Sequence, residues 1–299
     1  TPLKKALELP RANLFIADDV GLGKTIEAGL VIQELRLRQR VDFALVVCPA
    51  ALCMQWRTEM ERRFGLRFEI MDRELVARRR RERGFGTNAW STHNLFIVSY
   101  QTLRRPEYRE PLLQHLGKRR KKSLLVLDEA HTAAPASASR YAIDSNITRL
   151  VRDELTGRFD NRLFLSATPH NGHSNSFSAL MAMLDPQRFT RGVSIDADSR
   201  ALAAVMVRRL KRDLKALGKS DFPERRVVRM RIEGEQWPEV RLSRVLAAYA
   251  KLMRPEKGQG QLVFINLQKR LLSSVAAFHR TLQAHAERVA TGRAAKDTQ

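Results

Sequence analysis

A glycine-containing stretch near the amino terminus has the residue types and spacing of a phosphate-binding loop. Residues 18–25 read DDVGLGKT and lie between an apolar segment at 13–17 and a segment with apolar residues at helical intervals. Glycines let the backbone approach a polyphosphate closely, and the N–H groups that open a helix face its negative charge. A lysine supplies a point charge, and a threonine hydroxyl can bind magnesium. The stretch predicts a nucleotide site formed by Gly21, Leu22, Gly23, Lys24, Thr25 and Ile26.

Two adjacent acidic residues follow a second apolar segment. Asp128 and Glu129 come directly after residues 123–127, a continuous apolar run typical of a parallel strand. Ligands of open α/β sheets bind at the carboxyl ends of the strands. There Asp128 could hold a hydrated Mg²⁺ and Glu129 could deprotonate an attacking water, with His131 within local reach of both. The simpler interpretation is a strand followed by a helix that Asp128 caps, and the glycine loop in the same chain argues against it.

Two small hydroxyl residues follow a third apolar segment. Ser166 and Thr168 come after residues 162–165 and precede a proline. Taken alone, this pattern indicates an ordinary turn. Hydroxyl groups at a strand end exchange hydrogen bonds readily, so they can also sense whether a neighbouring site is occupied. The position of these residues after the other two motifs favours the second interpretation.

The alternation of apolar segments and helical stretches predicts an α/β fold. Strands are expected at 13–17, 43–48, 67–71, 94–98, 123–127 and 162–165, with helices between them. This alternation is typical of a parallel sheet covered on both faces. Residues 177–184 and 201–217 are predicted to be helical, residues 227–232 to form a returning strand, and the chain from Glu235 onward to form amphipathic helices around a loop at 253–261.

The order of the three motifs resembles motifs I, II and III of superfamily two helicases. Further stretches resemble the Swi/Snf-type translocases: residues 45–50 followed by Gln55, Trp56 and Glu59 (motif Ia), residues 97–103 (motif Ib), and residues 206–213. Residues 17–21 and 166–173 look like the bacterial branch of that group. That branch contains RapA/HepA-like proteins and the helicase-like component of DISARM phage defence.

This resemblance implies an ATP-driven translocase that moves on double-stranded DNA and displaces bound protein, with ATP and Mg²⁺ as cofactors and a RecA-like sheet as scaffold. The glycine loop and Lys24 would contact the nucleotide, Thr25 and Asp128 would bind Mg²⁺, and Glu129 would be the catalytic base. Ser166 and Thr168, with His131, would couple the nucleotide state to the grip on DNA. The contacts to nucleic acid are expected at Gln101, Thr102, Arg104, Arg208 and Arg209.

The resemblance also predicts a domain organisation. We expect a RecA-like ATP-binding lobe at 1–175, a helical protrusion at 176–224, a returning strand of the lobe at 225–234, and a helical bridge at 235–299 toward a second RecA-like lobe. That second lobe would supply arginine fingers, which are worth roughly 10³ to 10⁵ in turnover. These residues by themselves are therefore expected to hydrolyse ATP weakly. RNA polymerase and phage-defence proteins are the further partners that the bacterial branch suggests.

Composition agrees with a nucleic-acid partner. The chain has 54 Lys and Arg against 32 Asp and Glu, a formal charge of +22, and this excess favours binding to phosphate backbones. No apolar run is long enough to cross a bilayer and no export signal is evident, so a cytoplasmic, nucleoid-associated protein is expected. The two cysteines, Cys48 and Cys53, make a poor zinc site and are predicted to be buried.

Two alternatives to the translocase remain open. The first is a nucleotide-dependent clamp that binds DNA or a polymerase without sustained turnover, and the presence of Glu129 argues against it because a clamp needs no catalytic base. The second is an RNA helicase with the same Asp-Glu-Ala-His motif. The continuation Gly-Lys-Thr-Ile-Glu-Ala and the Gln55-Trp56 segment fit an RNA helicase poorly.

Overall fold

The computed structural model describes residues 1–118, 120–135, 144–168, 174–196, 198–216, 228, 238–253 and 260–294. The chain divides into two compact units, Thr1–Pro223 and Glu224–Gln299. The predicted nucleotide motifs all lie in the first unit, and the second unit contains the carboxyl-terminal helices.

One parallel sheet forms the centre of the first unit. In the described part of the chain its strands are β1 (Asn13–Ile16), β2 (Phe43–Cys48), β3 (Glu69–Ile70), β4 (Leu95–Ser99), β5 (Arg120–Leu127), β6 (Phe159–Leu165) and β7 (Met206–Val207). Their order across the sheet is β3-β4-β2-β5-β6-β1-β7, and every described pairing is parallel. The six strands predicted from the sequence are all present. The predicted parallel α/β sheet is therefore confirmed.

Helices connect the strands. In the first unit they are α1 (Pro2–Glu8), α2 (Lys24–Leu37), α3 (Cys53–Phe64), α4 (Arg73–Arg83), α5 (Tyr100–Leu103), α6 (Pro106–Leu116), α7 (Asn146–Arg149), α8 (Ser174–Leu184), α9 (Arg200–Val205) and α10 (Lys211–Ala216). Local sequence sets several of their starts. The side chains of Asp72 and Ser99 accept hydrogen bonds from the first turns of α4 and α5, which satisfies N–H groups that have no partner within the helix.

Two apolar cores lie on opposite faces of the sheet because side chains alternate along each strand. On β1, Leu14 and Ile16 belong to the core that α1, α2 and α3 cover, whereas Phe15 belongs to the other core. That second core includes residues of α6 and α8, among them Leu112 and Leu180. Each fully buried side chain of this kind contributes about 1.5–3 kcal/mol. The two cores hold the carboxyl ends of the strands in a fixed arrangement.

The single helix predicted over 201–217 is wrong. The structure has α9, then β7, then α10 in this region. The short strand β7 lies beside β1, with Met206 opposite Phe15 and Val207 opposite Ile16. The backbone N–H of Ala17 also donates to the carbonyl of Val207 at 2.7 Å. A pairing between segments so distant in sequence gives no local periodicity, so the pattern alone could not show it.

The remaining organisational predictions concern the end of the first unit. Strand β7 and all of helix α8 except its first two residues fall within 176–224, yet α8 packs in a core of the sheet through Phe177 and β7 joins the sheet. The predicted returning strand lies outside the described residues except for Val228, which is exposed. The domain boundaries at 175, 224 and 234 stay predictions.

The second unit consists of three described helices, α11 (Pro238–Met253), α12 (Gly260–Ser273) and α13 (Val275–Ala294). Leu246, Leu267 and Phe278, one from each helix, form its apolar core. The amphipathic helices expected after Glu235 are thus present. Across the described ranges of both units, none of the helices has the length and apolar character needed to cross a membrane.

Candidate nucleotide site

The phosphate-binding loop lies between β1 and α2. Gly21 and Gly23 both have φ of 82°, a left-handed conformation that glycine adopts without strain. Gly23 precedes the first residue of α2, and no side chain caps that helix. The first N–H groups of α2 are therefore open to an anion. Lys24 begins α2, and its Nζ donates to the carbonyl oxygens of Asp18 at 2.9 Å and Asp19 at 3.3 Å.

A distant segment holds the two acidic residues that lead into this loop. Asp18 is 0% exposed, and its carboxylate accepts hydrogen bonds from the backbone N–H of Arg209 at 2.8 Å and from its Nε at 3.0 Å. The Nη2 of Arg209 donates to both Asp18 and Glu27. The backbone N–H of Lys211 donates to Asp19 at 3.0 Å. Burial raises the pKa of the Glu27 carboxyl, and Arg209 opposes this effect.

Buried donors fix the orientation of Asp128 at the end of β5. The indole Nε1 of Trp56, on α3, donates to Asp128 Oδ2 at 2.7 Å, and the backbone N–H of Glu129 donates to Oδ1 at 2.9 Å. The hydroxyl of Tyr100 donates to the carbonyl of Asp128 at 2.9 Å. Asp128 is only 6% exposed. The Trp56 indole and the Glu129 N–H therefore hold its carboxylate in one direction.

The residues predicted to couple nucleotide state to DNA form a connected group. His131 Nδ1 lies 3.2 Å from Glu129 Oε2 and 3.0 Å from the hydroxyl oxygen of Ser166. The backbone N–H of Thr168 donates to the same Ser166 oxygen at 3.2 Å. Glu129 has φ of 48°, an uncommon value for a residue with a side chain. Residues 169–173, the remainder of the motif III stretch, lie outside the described residues.

Three neighbouring strands bring these groups to one rim of the sheet. Strands β5, β6 and β1 are adjacent and parallel, so their carboxyl ends lie together. Asp128 follows β5, Ser166 follows β6, and the glycine loop follows β1. The sequence-based expectation that Lys24 and Asp128 would share a rim agrees with this topology.

This rim fits a nucleoside triphosphate with Mg²⁺. The open N–H groups of α2 and the Lys24 ammonium suit phosphate oxygens, while the Asp128 carboxylate and the Thr25 hydroxyl are oxygen ligands of the kind that Mg²⁺ prefers. Leu22, Thr25 and Ile26 are half-buried beside these groups. A bound Mg²⁺ would neutralise charge that develops on the phosphates.

The predicted nucleic-acid contacts fall in two places. Gln101 and Arg104 lie on or just after α5 and border a groove of about 530 Å³. The hydroxyl of Thr102 accepts a hydrogen bond from Ser99. Arg208 is exposed, whereas Arg209 is engaged with Asp18 and Glu27 as described above. The assignment of these five residues to DNA stays a prediction, and for Arg209 the structure shows a role within the loop.

Sequence reasoning missed two side chains of the site. The sequence places Trp56 only in motif Ia and Tyr100 only in motif Ib, yet both donate to Asp128. Each combines a large apolar body with one polar hydrogen, and such residues find a partner when buried. The sequence could therefore have indicated that Trp56 and Tyr100 each donate a hydrogen bond in the interior. The identity of the partner depends on packing between α3, α5 and β5, which no local pattern reveals.

The two cysteines lie next to the site. Cys48 ends β2 and Cys53 begins α3; both are buried as predicted, and their sulfurs are 3.6 Å apart. The hydrogen bond to Cys48 lowers the pKa of the Cys53 thiol. The same contact, together with burial, raises the pKa of Cys48.

Comparison with known proteins gives one family. A family model described as the SNF2-related domain matches residues 6–238. The RNA polymerase-associated protein RapA of Cronobacter sakazakii is 37% identical over 180 residues, which cover 59% of this chain and 17% of that protein. RapA of Klebsiella pneumoniae is 36% identical over 181 residues, again 59% of this chain and 17% of the relative. The chain thus spans about a sixth of the length of these curated relatives.

A solved structure has the same fold. The Sulfolobus solfataricus SWI2/SNF2 ATPase core in complex with dsDNA matches with a TM-score of 0.51 and 21% sequence identity. The match covers 72% of this chain and 43% of that chain. It confirms the predicted RecA-like α/β architecture of the first unit.

Proposed function

The chain belongs to the SNF2-related domain family, and we propose that it is the nucleotide-binding first lobe of an ATP-driven translocase on double-stranded DNA. At the level of the family, it is a helicase-like, ATP-dependent remodeller associated with DNA. One observation carries the finer proposal: the glycine loop with Lys24 and the acidic residues Asp128 and Glu129 lie at the same rim of one parallel sheet.

The side chains at this rim have complementary tasks. Lys24 donates to two carbonyl oxygens of the loop, so its ammonium lies at the loop and could exchange these partners for phosphate oxygens. Glu129 would orient and deprotonate the attacking water, because its carboxylate is partly exposed and contacts His131. Proton transfer by a positioned base contributes roughly 10²–10⁴-fold to a rate.

The contact between His131 and Ser166 supports a link between chemistry and movement. His131 touches both Glu129 and Ser166, so a change at the catalytic carboxylate can alter the hydrogen bonds after β6. Thr168 shares the Ser166 hydroxyl and would transmit the change. DNA contacts at Gln101, Thr102 and Arg104 would then tighten or relax with each cycle.

The relatives and the solved neighbour suggest binding partners for this protein. The curated relatives are RNA polymerase-associated proteins and the solved neighbour is bound to dsDNA. We extend this to a cytoplasmic, nucleoid-associated protein that acts on duplex DNA, with RNA polymerase or phage-defence proteins as further partners. A second RecA-like lobe of the same protein would complete the ATP site, and this chain alone would hydrolyse ATP weakly.

Nucleotide binding tests the site in this chain. We expect the wild-type chain to bind a fluorescent ATP analogue with Mg²⁺ and Lys24→Ala to lose that binding. Glu129→Gln should keep it, because the base acts on water rather than on the nucleotide. Lys121→Ala removes an exposed lysine at the start of β5, at the other end of the strands, and is the matched control. Equal binding by Lys24→Ala and the wild type would contradict the proposal.

Hydrolysis tests the motor. In the protein that carries both lobes, duplex DNA should stimulate ATP turnover more than single-stranded DNA or RNA, and Glu129→Gln should abolish the stimulation. Nucleotide-dependent DNA binding without turnover would indicate a clamp instead. Stimulation by RNA alone would indicate an RNA helicase.

A further inference from the structure

The last turn of α4 carries arginines that form no ion pair within the described parts of the chain. Arg80, Arg81 and Arg83 are all exposed. Their neighbours differ, because Arg78 and Arg79 form ion pairs with Glu69 at 2.9 and 3.2 Å, and Arg79 also pairs with Glu82 at 2.8 Å. Glu82 lies among these arginines and pairs with Arg79, and the nearby charge of Arg83 also helps to lower the pKa of its carboxyl. One carboxylate among these arginines leaves the end of α4 with a net positive charge.

An exposed aromatic residue follows directly. Phe85 is 87% exposed at the tip of the loop after α4, between Gly84 and Gly86. No other atom lies within 4 Å of where a Cβ would stand on either glycine, so a large partner can approach the loop backbone closely. Burying a phenylalanine is worth about 1.5–3 kcal/mol, and this ring is left in solvent. The combination of a bare aromatic ring and unpaired arginines indicates a partner that is both anionic and able to contact a ring.

A basic surface connects this tip with motif Ib. Arg73 and Arg80 on α4 border a groove of about 420 Å³ together with Arg105, which also borders the groove beside Gln101 and Arg104. One acidic residue, Glu107, lines the first groove among the described residues. An eleven-residue helix is roughly 16 Å long, so α4 extends the motif Ib surface by a length equal to about five nucleotides of a strand.

We propose that the α4 tip, defined as Arg80, Arg81, Arg83 and Phe85, is a second contact to duplex DNA, separate from motifs Ia and Ib. The arginines bind phosphates of one strand, and the Phe85 ring packs against sugars and base edges in the minor groove, as apolar wedges of DNA-binding proteins do. This inference rests on the proposed function, because it assumes duplex DNA at motif Ib.

Duplex DNA fits the surface better than the other anionic partners. Proteins that bind single strands use several aromatic platforms in series, and here one ring follows three arginines. An acidic protein partner would need an apolar patch at the centre of the interface, inside a polar rim, and the sequence neighbours of Phe85 are glycines and arginines. Duplex DNA presents a regular row of phosphates, which the three arginines and the single ring of Phe85 are sufficient to contact.

The salt dependence of DNA binding distinguishes the phosphate contacts of the arginines from the contact of the Phe85 ring. We expect Arg80→Gln, Arg81→Gln and Arg83→Gln together to lower the slope of log affinity against log salt by about 2 to 3 for a 20-base-pair duplex, since each phosphate contact contributes about 0.9. Phe85→Ala should weaken binding roughly 10- to 150-fold, which corresponds to the loss of one buried phenylalanine ring. The slope should stay unchanged, because a ring releases no counterions.

Matched variants control for charge and for apolar surface. Arg11→Gln, Lys121→Gln and Lys122→Gln remove the same charge from exposed residues at the starts of β1 and β5 and should change the slope by less than 1. Leu37→Ala removes another strongly exposed apolar side chain and should leave affinity unchanged. All substitutions are at exposed positions, so circular dichroism should show an unchanged fold.

Several outcomes would overturn the inference. A wild-type slope in the triple arginine variant would remove the α4 tip from the DNA surface while leaving the proposed function intact. An equal loss of slope in the charge-matched control would reduce the effect to net charge. Capture of polyglutamate through the same arginines, with unchanged duplex binding, would identify an acidic protein partner instead. A wild-type chain that binds no duplex would overturn the proposed function as well.

Discussion

Replacement of Trp56 by phenylalanine should weaken Mg²⁺ binding although Trp56 itself touches no ligand. The change keeps an aromatic ring at a buried position and removes the indole N–H that donates to Asp128 Oδ2 at 2.7 Å. A hydrogen bond to a charged group contributes about 1.5–3 kcal/mol, and the carboxylate would lose one of its two described donors. Loss of such an orienting partner typically costs about 10–100-fold in metal affinity.

Trp90→Phe is the matched control. Trp90 is as buried as Trp56, and its Nε1 donates at 2.9 Å to the carbonyl of Tyr108, away from the site. Both variants should lose free energy of unfolding in urea titrations, about 0.5–1.5 kcal/mol for the bond to a neutral carbonyl and about 1.5–3 kcal/mol for the bond to the carboxylate. Titration of Mg²⁺ at a fixed concentration of ATP analogue should show weaker metal binding only in Trp56→Phe.

The reasoning fails if the two tryptophan variants bind Mg²⁺ with the same affinity. It also fails if Trp56→Phe has the stability of the wild type, because a buried carboxylate that loses a donor must cost free energy unless water replaces the indole. Equal destabilisation of both variants with equal metal affinity would mean that Trp56 supports only the packing of α3.

Three further predictions concern packing, ionisation and thiol chemistry. Gly29→Ala should lower the free energy of unfolding by about 1–3 kcal/mol in urea, because the new Cβ would stand 2.1 Å from the Phe64 ring. Hydrogen bonds from Arg191 lower the pKa of Asp144 below its ordinary 3.8. The ionised carboxylate therefore stabilises the fold above pH 3.8, and this contribution is lost as the pH falls through the lowered pKa. When the pH is lowered below 3.8, the free energy of unfolding should fall less in Asp144→Asn than in the wild type. Cys53 should be alkylated before its neighbouring thiol, as mass spectrometry would show.

Each of these has its own control. Gly157→Ala should be tolerated, because no other atom lies within 4 Å of a Cβ there, and equal losses at Gly29 and Gly157 would contradict the packing argument. An unchanged acid dependence of stability in Asp144→Asn would mean that the ion pairs with Arg152 and Arg191 contribute nothing. Faster labelling of Cys48 would contradict the direction of the thiol pKa shifts.

The sequence predicted those parts of the fold and site that depend on local pattern. The glycine loop and the acidic residues after 123–127 could be recognised because a parallel strand is a continuous apolar run and the chemistry follows at its carboxyl end. The shared rim then followed from the fold class. The predicted strand at 67–71 is only two residues long, Glu69–Ile70, because β3 is the edge strand of the described sheet and its one described pairing is with β4.

Features that depend on distant pairing could not be predicted in this way. Met206 and Val207 resemble the middle of a helix in sequence, but in the structure they form a strand that pairs with β1. Arg209 looked like a free cation for DNA, and its partners Asp18 and Glu27 lie far away along the chain. A charge pattern shows how many cations a segment has and not which of them the folded chain neutralises.

The attachment of residues 206–211 to the phosphate loop sets a lower limit on how short a working fragment can be. Asp18 and Arg209, which are hydrogen-bonded to each other, are 191 residues apart in sequence. Without β7, strand β1, which leads into the loop, would become an unprotected edge of the sheet. A truncation that stops after α8 would keep every recognisable nucleotide motif and still leave the Asp18 carboxylate without its partner. Limited proteolysis that cuts before Met206 should therefore release a fragment that aggregates.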